Sequence, residues 1–426
     1  MIVSILIRLP STAMARRPRL DPPDAVPDPG RRRALALLAG AAPLLTAAGR
    51  GLATLPAAAA PARPSALTQA SPGIVKPLPP EWFTVRGTNA EMRWEALAGQ
   101  GYAVPNDRFF VRNHTSTPII DPATWRLRLS GSGVRRPVEL TYDQLRALPA
   151  RTTTAVIECA GNGRSFFADQ QGTPATGTAW RLGAVGAARW RGVPLSALLH
   201  RAGLRPEAVD VMPVGLDDPV VSSGVDQGHV RRPLPVAKAL DDVLVAYEMN
   251  GEPLPPDHGF PARLVVPGWV GIASVKWLGS IEVADHPLTS PWNTTSYRMV
   301  GPDYPADSPP LTAQPPKSAF ELPWEADLPA GRPLTLRGRS WSGTAGVHLV
   351  DVSTDGGATW RRARLEPRDH GRPWVRWSVP WVPQAGRHEL LARTTGRDGV
   401  AQPDTVPFNQ LGYQFWAVVR HPVVAA

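Results

Sequence analysis

The chain has 426 residues, more than one hydrophobic core usually serves, and predicts two domains behind an N-terminal leader. Its formal charge of +10 excludes less than it suggests: eight arginines against three aspartates crowd into residues 1–60, and no basic stripe interleaved with aromatics marks a nucleic-acid partner. A single cysteine excludes an internal disulfide, and the scattered histidines lack the ligand spacing of a copper or zinc site.

Residues 1–60 predict a targeting segment. Arg31, Arg32 and Arg33 precede an apolar run at 34–42 that is too short to cross a bilayer, and the alanines at 57–60 suit small-residue cleavage. Adjacent arginines before a mildly apolar run predict export by the twin-arginine route to the periplasm or another extracytoplasmic space; Ala34 stands where a bulkier residue is usual, and an ordinary secretory leader or a retained anchor is the competing reading. Residues 61–80 are rich in Pro, Ala and Ser without periodicity and predict an extended linker, with structure beginning near Trp82.

The segment 108–114 runs from aromatics into Arg112, Asn113 and His114, whose donors suit either an anion-facing loop or an ordinary polar surface. Alternation at 125–129 predicts a half-buried strand, and Thr141 with Gln144 has capping-box spacing for a short helix through Leu148. The β-branched run at 154–158 then breaks into Cys159-Ala160-Gly161-Asn162-Gly163-Arg164-Ser165. A thiol at such a strand end can face a cavity, and Arg164 nearby favours the thiolate that binds soft metals or acts as a nucleophile. A lone cysteine is otherwise a small buried thiol packed like alanine.

Trp180 opens the next apolar stretch, and residues 194–200 predict a helix stopped by Gly203. Asp217 sits in a strand-end pair with Asp218, a pattern that solvated turns also produce. His258, Arg263 and Lys276 are three donors separated by turns and strands. Such a set can converge on one phosphate, yet each alone also suits a surface position. From about Leu311 the texture changes to short alternating strands at 334–338, 347–353, 375–379 and 389–394, with a hairpin turn at 354–360. That series predicts an immunoglobulin-like β-sandwich.

Glu-Cys-Ala-Gly-Asn-Gly-Arg-Ser at 158–165 resembles the signature of the sulfite oxidase family of molybdenum enzymes, and further motifs match in order from about Pro79 onward. The resemblance implies an α+β chain: a mixed α/β molybdopterin-binding catalytic domain at 81–310, followed by a sandwich at 311–426 that dimerises. It implies one molybdenum-molybdopterin per chain, with Cys159 ligating the metal. Phe110, Val111, Arg112, Asn113, His114, Asp217, His258, Arg263, Ser274, Val275 and Lys276 match the family's cofactor contacts. Arg112, Arg164, Trp180 and Tyr297 match its substrate pocket, with the Tyr297 hydroxyl directed at the metal's oxygen ligand. The implied reaction is oxygen-atom transfer converting sulfite, or a related small sulfur oxyanion, to sulfate. No haem module is expected, because the stretch before Trp82 is too short for one and no Cys-x-x-Cys-His occurs. Electrons are therefore expected to leave to a separate c-type cytochrome.

Three positions depart from the animal members of the family. Gly163 stands where they carry a second arginine, Thr176 where they have a pocket lysine, and Leu411 where a third arginine reaches the oxyanion. A less cationic pocket is expected, which admits other sulfur compounds. Two other readings stay open. A same-fold molybdenum reductase of sulfoxides usually lacks the C-terminal sandwich, so residues 311–426 weigh against it. A secreted, non-enzymatic β-rich binding protein would bind no molybdenum, and Cys159 weighs against that.

Overall fold

Alternation along Arg126–Ser130 buries Leu127 and Leu129 and turns the basic residues outward. In the computed structural model, which describes residues 73–426 apart from Thr344, this strand is paired on both sides. It lies antiparallel to Val138–Thr141 and parallel to Leu278–Ala284, which in turn pairs antiparallel with Asp210–Gly215. The short strand Leu234–Pro235 completes a mixed five-stranded sheet. The predicted leader at 1–60 and most of the linker lie outside the described residues.

The helix Tyr142–Arg146 starts on the expected capping box: Gln144 N–H donates to Thr141 Oγ1 at 3.1 Å, and Thr141 N–H donates to Gln144 Oε1 at 2.9 Å. Leu145 points inward, as do Leu195, Leu198 and Leu199 of the helix Leu195–Arg201. Together they pack on Leu127, Val211, Ile281 and Val283 as one core. Each fully buried leucine contributes roughly 1.5–3 kcal/mol, which outweighs the modest propensity of helices this short.

A second sheet carries the cysteine. Arg151–Glu158 pairs antiparallel with Val185–Pro194, which pairs with Leu244–Met249, flanked in turn by Glu252–Pro253 and Arg263–Val265. Gly192 is needed at the crossing, because a Cβ there would run into the Val245 carbonyl. The ladder ends at Glu158, so Cys159 leaves the sheet where the chain turns. Asn162 N–H closes that turn on Cys159 O at 2.9 Å.

The C-terminal strands form two facing sheets. One is ordered Lys317–Phe320, Leu334–Trp341, Trp374–Trp381, Arg364–Leu365. The other is ordered Ala326–Leu328, His421–Ala425, Gly386–Gly396, Val347–Ser353, Arg361–Arg362. Val350, Val352, Val375, Trp377, Val379 and Leu390 meet between them, which makes the expected immunoglobulin-like β-sandwich in an α+β chain.

The sandwich is fastened to the cysteine strand by a buried polar cluster. Lys317 Nζ lies 2.8 Å from Glu158 Oε1 with both side chains 2% exposed, and it also donates to Asn162 O at 2.7 Å. Trp341 Nε1 donates to Glu158 Oε2 at 3.0 Å, and Asn162 Nδ2 to Glu158 Oε1 at 3.0 Å. The carboxylate of the residue before Cys159 is therefore held by three donors, two of them from the sandwich.

Candidate functional site

A cavity opens beside Cys159, and its walls come from separate segments of the chain. Phe110 to His114 enter alongside the strand Asn89–Met92, tied by paired bonds between Ala90 and Val111 at 2.9 Å each. Phe110, Arg112, Asn113 and His114 face the cavity, whereas Val111 turns into a satellite apolar cluster with Leu78 and Phe83. Asp217 follows Asp210–Gly215 and is fixed by Val230 N–H, 3.1 Å from its Oδ2. Tyr297 sits in the left-handed region at φ 57, with its hydroxyl 3.3 Å from His114 Nε2.

The opposite wall holds the three basic residues together. His258 ends the short turn Pro256–His258, and Gly259 follows at φ 107. A Cβ at 259 would lie 2.9 Å from Arg263 Cβ and 3.2 Å from Lys276 Cβ, so glycine is what lets this corner close. Arg263 donates to His258 O at 3.0 Å, Ser274 O at 2.9 Å and Leu264 O at 3.3 Å. Lys276 donates to Asp257 O at 2.8 Å and to Asn113 Oδ1. Ser274 Oγ accepts Val266 N–H at 3.1 Å, and Val275 O accepts Leu264 N–H at 2.8 Å, so both residues brace the strand carrying Arg263.

Electrically the site is short of negative charge. The donors of Arg263 and Lys276 go to neutral oxygens. Burial lowers Arg263 to about 9, and burial with the neighbouring Arg263 holds Lys276 well below the usual lysine range. His258 is kept far below its ordinary value by burial and by Lys76, Lys276 and Arg263, so it is neutral at pH 7. Its Nε2 is buried without a hydrogen-bond partner. His114 is lowered in the same way by burial, Arg112 and Lys276. Burial opposes the charge on Arg112, but interactions with Tyr297 and Cys159 outweigh it and hold the group above its ordinary value. Desolvation raises both Tyr297 and Asp217.

Two expected pocket residues lie outside this wall. Trp180 is fully buried in the main core, where its ring is packed among apolar side chains, and does not line the cavity. Arg164 is buried behind the tyrosines: its guanidinium donates to Thr178 O at 2.8 Å and Leu411 O at 3.0 Å, and lies 5.5 Å from the ring of Tyr413, which is stacked on Tyr297. Gly161, Gly177 and Gly412 leave room for it, since a Cβ at any of them would meet the guanidinium group or its stem within 3 Å. Of the departures, Thr176 is exposed and donates to Gln410 O at 3.0 Å, while Leu411 contributes its carbonyl to the Arg164 clamp.

Several participants have no motif to announce them. Tyr413 stacks on Tyr297 with ring centroids 5.0 Å apart at 12°, from a C-terminal stretch without regular structure. An aromatic directly after Gly412 is the only local signal. Asp257 lines the cavity beside His258, and Lys76 lies behind it, inside the segment expected as linker.

The family model described as "Oxidoreductase molybdopterin binding domain" matches residues 114–292, and that described as "Mo-co oxidoreductase dimerisation domain" matches residues 316–420. The chain is 37% identical over 340 residues to mitochondrial sulfite oxidase of Mus musculus, covering 75% of this chain and 61% of that protein. The match spans about three fifths of the length of these mitochondrial relatives. It is 32% identical over 355 residues to the NADH nitrate reductase of Solanum lycopersicum, covering 76% of this chain and 38% of that protein. The crystal structure of the sulfane dehydrogenase SoxCD from Paracoccus pantotrophus superimposes with a TM-score of 0.68 at 29% identity, covering 79% of this chain and 85% of that one. With sulfite oxidase of Gallus gallus the identity is 38% over 341 residues, covering 75% of this chain and 72% of that protein, and the chain belongs to the sulfite oxidase family of molybdopterin oxidoreductases.

Proposed function

We propose that the chain is an exported molybdenum enzyme that oxidises sulfite, or a related small sulfur compound, and passes the electrons to a separate c-type cytochrome. The observation that carries this reading is the meeting of the sole thiol, Cys159, with Arg112, His258, Arg263, Lys276 and Tyr297 around one cavity. The donor set suits molybdopterin. Buried cations whose partners are neutral oxygens, and a buried imidazole nitrogen with none, leave a phosphate-bearing ligand to supply the missing anion. His258, Arg263 and Lys276, with Ser274, Val275, Asn113 and Asp217, would hold that cofactor, and Cys159 would ligate the metal. When bound, the group supplies two-electron oxygen-atom transfer.

The protein's own part is positioning and field. Arg112 keeps a positive charge beside Cys159 in a site screened from water, where a charge acts strongly on an approaching oxyanion. Tyr297 stays protonated and can donate from its hydroxyl at neutral pH. Arg164 is the second nearby cation, but both of its terminal nitrogens already donate to carbonyls. With Leu411 and Thr176 uncharged and Tyr413 stacked on Tyr297, the pocket suits a less anionic sulfur substrate as well as sulfite. The relation to a sulfane dehydrogenase agrees with that breadth. The match to a dimerisation domain supports a two-fold homodimer through the sandwich.

Metal analysis of wild type and Cys159→Ser, alongside sulfite-dependent reduction of cytochrome c, tests the proposal. Roughly one molybdenum per chain with sulfite activity supports it. Molybdenum without sulfite activity moves the substrate to another sulfur compound, and a metal-free wild type overturns it.

A further inference from the structure

The residues preceding the catalytic core do more than tether it. Val75 N–H donates to Asp257 Oδ1 at 3.0 Å and Lys76 N–H to Oδ2 at 2.8 Å, and Thr117 Oγ1 also donates to Oδ1 at 2.6 Å. Asp257 is 1% exposed, so these donors are its solvation. Its backbone carbonyl accepts Lys276 Nζ at 2.8 Å, and its neighbour His258 carries the unpartnered nitrogen in the cavity. The same network reaches Lys276 a second way, because Thr117 accepts from Asn113 Nδ2 at 2.9 Å and Asn113 Oδ1 receives Lys276.

The segment is clamped at both ends. Gly73, at φ 77, accepts Thr117 N–H on its carbonyl at 2.8 Å, and a Cβ there would lie 2.6 Å from Ser116 Oγ. Lys76 Nζ caps the carbonyls of Asn106 and Asp107 at 3.3 Å and also that of Phe109, whose ring lies edge-on to His258 at 5.3 Å. Leu78 is buried with Phe83 and Val111. Undocking the segment would leave a buried carboxylate stripped of two donors, 19 residues along the chain from Lys276 but one carbonyl away in space. The ammonium would then be drawn from the cavity toward that carboxylate.

We propose that residues 73–78 are a strap that positions the cofactor cradle through Asp257, so that the docked strap and the bound pterin stabilise each other. This rests on the functional reading above, and Asp257, Thr117 and Lys76 act in it as positioning residues. By linkage, whatever the strap adds to cofactor affinity the cofactor must add to strap docking.

Hydrogen exchange on full-length protein, loaded and stripped of cofactor, reads that reciprocity directly. The Val75 and Lys76 amides should exchange about tenfold more slowly in the loaded form, a coupling of ordinary size. In parallel, pterin released as a fluorescent oxidation product and molybdenum per chain are followed over time. Asp257→Asn and Thr117→Val should lose both about tenfold faster than wild type. Thr117→Ser keeps the hydroxyl and should restore retention, which a merely structural defect would not do. Equal exchange in loaded and stripped protein, or retention in Thr117→Val equal to wild type, overturns the strap. A wild type that holds no pterin overturns the functional reading and the strap with it, and is seen before any variant is made.

Discussion

On the sandwich side of Cys159, the Glu158 carboxylate is closed by Lys317, Trp341 and Asn162, with charges that cancel. On the cavity side, Arg263 is buried and Lys276 half-buried, but both donate to carbonyl and amide oxygens, and His258 Nε2 has no partner. Both clusters are polar, buried and within a few residues of the same thiol or of its facing wall. The difference lies in whether the charge sums to zero within the protein. A closed pair braces the structure, whereas an unbalanced set of cations is tolerable only where a ligand completes it.

The closed pair should break hardest. Lys317→Met leaves Glu158 buried without its counter-charge and should cost about 3–5 kcal/mol in chemical unfolding. The double variant with Glu158→Gln should recover most of that loss. If the double is as unstable as the single, the cluster is not a balanced pair and the contrast fails.

The unbalanced side should instead answer to pH. Burial holds Lys76 at about 7, against 10.5 for a free lysine. Between those values the unfolded chain keeps a proton that the folded chain has shed, so this group makes folding more favourable as pH rises from about 7 to 10.5 and penalises it below. At about 1.4 kcal/mol per unit, the cofactor-free wild type should gain roughly 2–4 kcal/mol over that window relative to Lys76→Met. A pH-independent difference between the two proteins would show that Lys76 stays charged when folded. Thr141→Ala, remote from both clusters, calibrates the scale: losing the cap should cost about 1 kcal/mol and leave retained molybdenum unchanged.

This contrast also separates what the sequence makes legible from what it hides. The capping box at Thr141, the alternation along Arg126–Ser130 and the strand Val347–Ser353 rest on neighbours within a few residues, and they appear where local pattern puts them. The grouping of His258, Arg263 and Lys276 is legible only as three donors; what joins them is Gly259, whose missing Cβ has meaning once the turn is folded. The parallel pairing of Arg126–Ser130 with Leu278–Ala284 and the bond between Glu158 and Lys317 span roughly 150 residues, and no local period encodes them. Trp180 illustrates the same limit in reverse. The family resemblance implies a pocket wall, but the ring is taken into the core, where its Nε1 is buried without a partner. Lys76 is hidden for another reason: it sits in a Pro- and Ala-rich stretch whose composition signals a linker, while its half-buried position is set by Asp257, the carbonyls of 106–109 and the Phe83 ring.

The smallest structural effect should come from Leu411→Arg, and it is the variant that bears most on substrate. Leu411 is half-buried, and its contribution to Arg164 is made by the backbone carbonyl, which the substitution keeps. Stability should therefore stay within about 0.5 kcal/mol of wild type. The added guanidinium would join Arg164 and raise the positive field near the stacked rings of Tyr413 and Tyr297. A charge that meets the oxyanion before reaction stabilises ground and transition states alike, so KM for sulfite should fall about fivefold with kcat little changed. High salt should erase most of the gain, because the interaction is exposed to solvent. An unchanged KM would mean that the oxyanion is read deeper in, by Arg112 beside Cys159, and that position 411 only shapes the opening. A drop in kcat would mean instead that the new arginine displaces Arg164 from Thr178 and Leu411, and the clamp would then be part of the reaction rather than of its threshold.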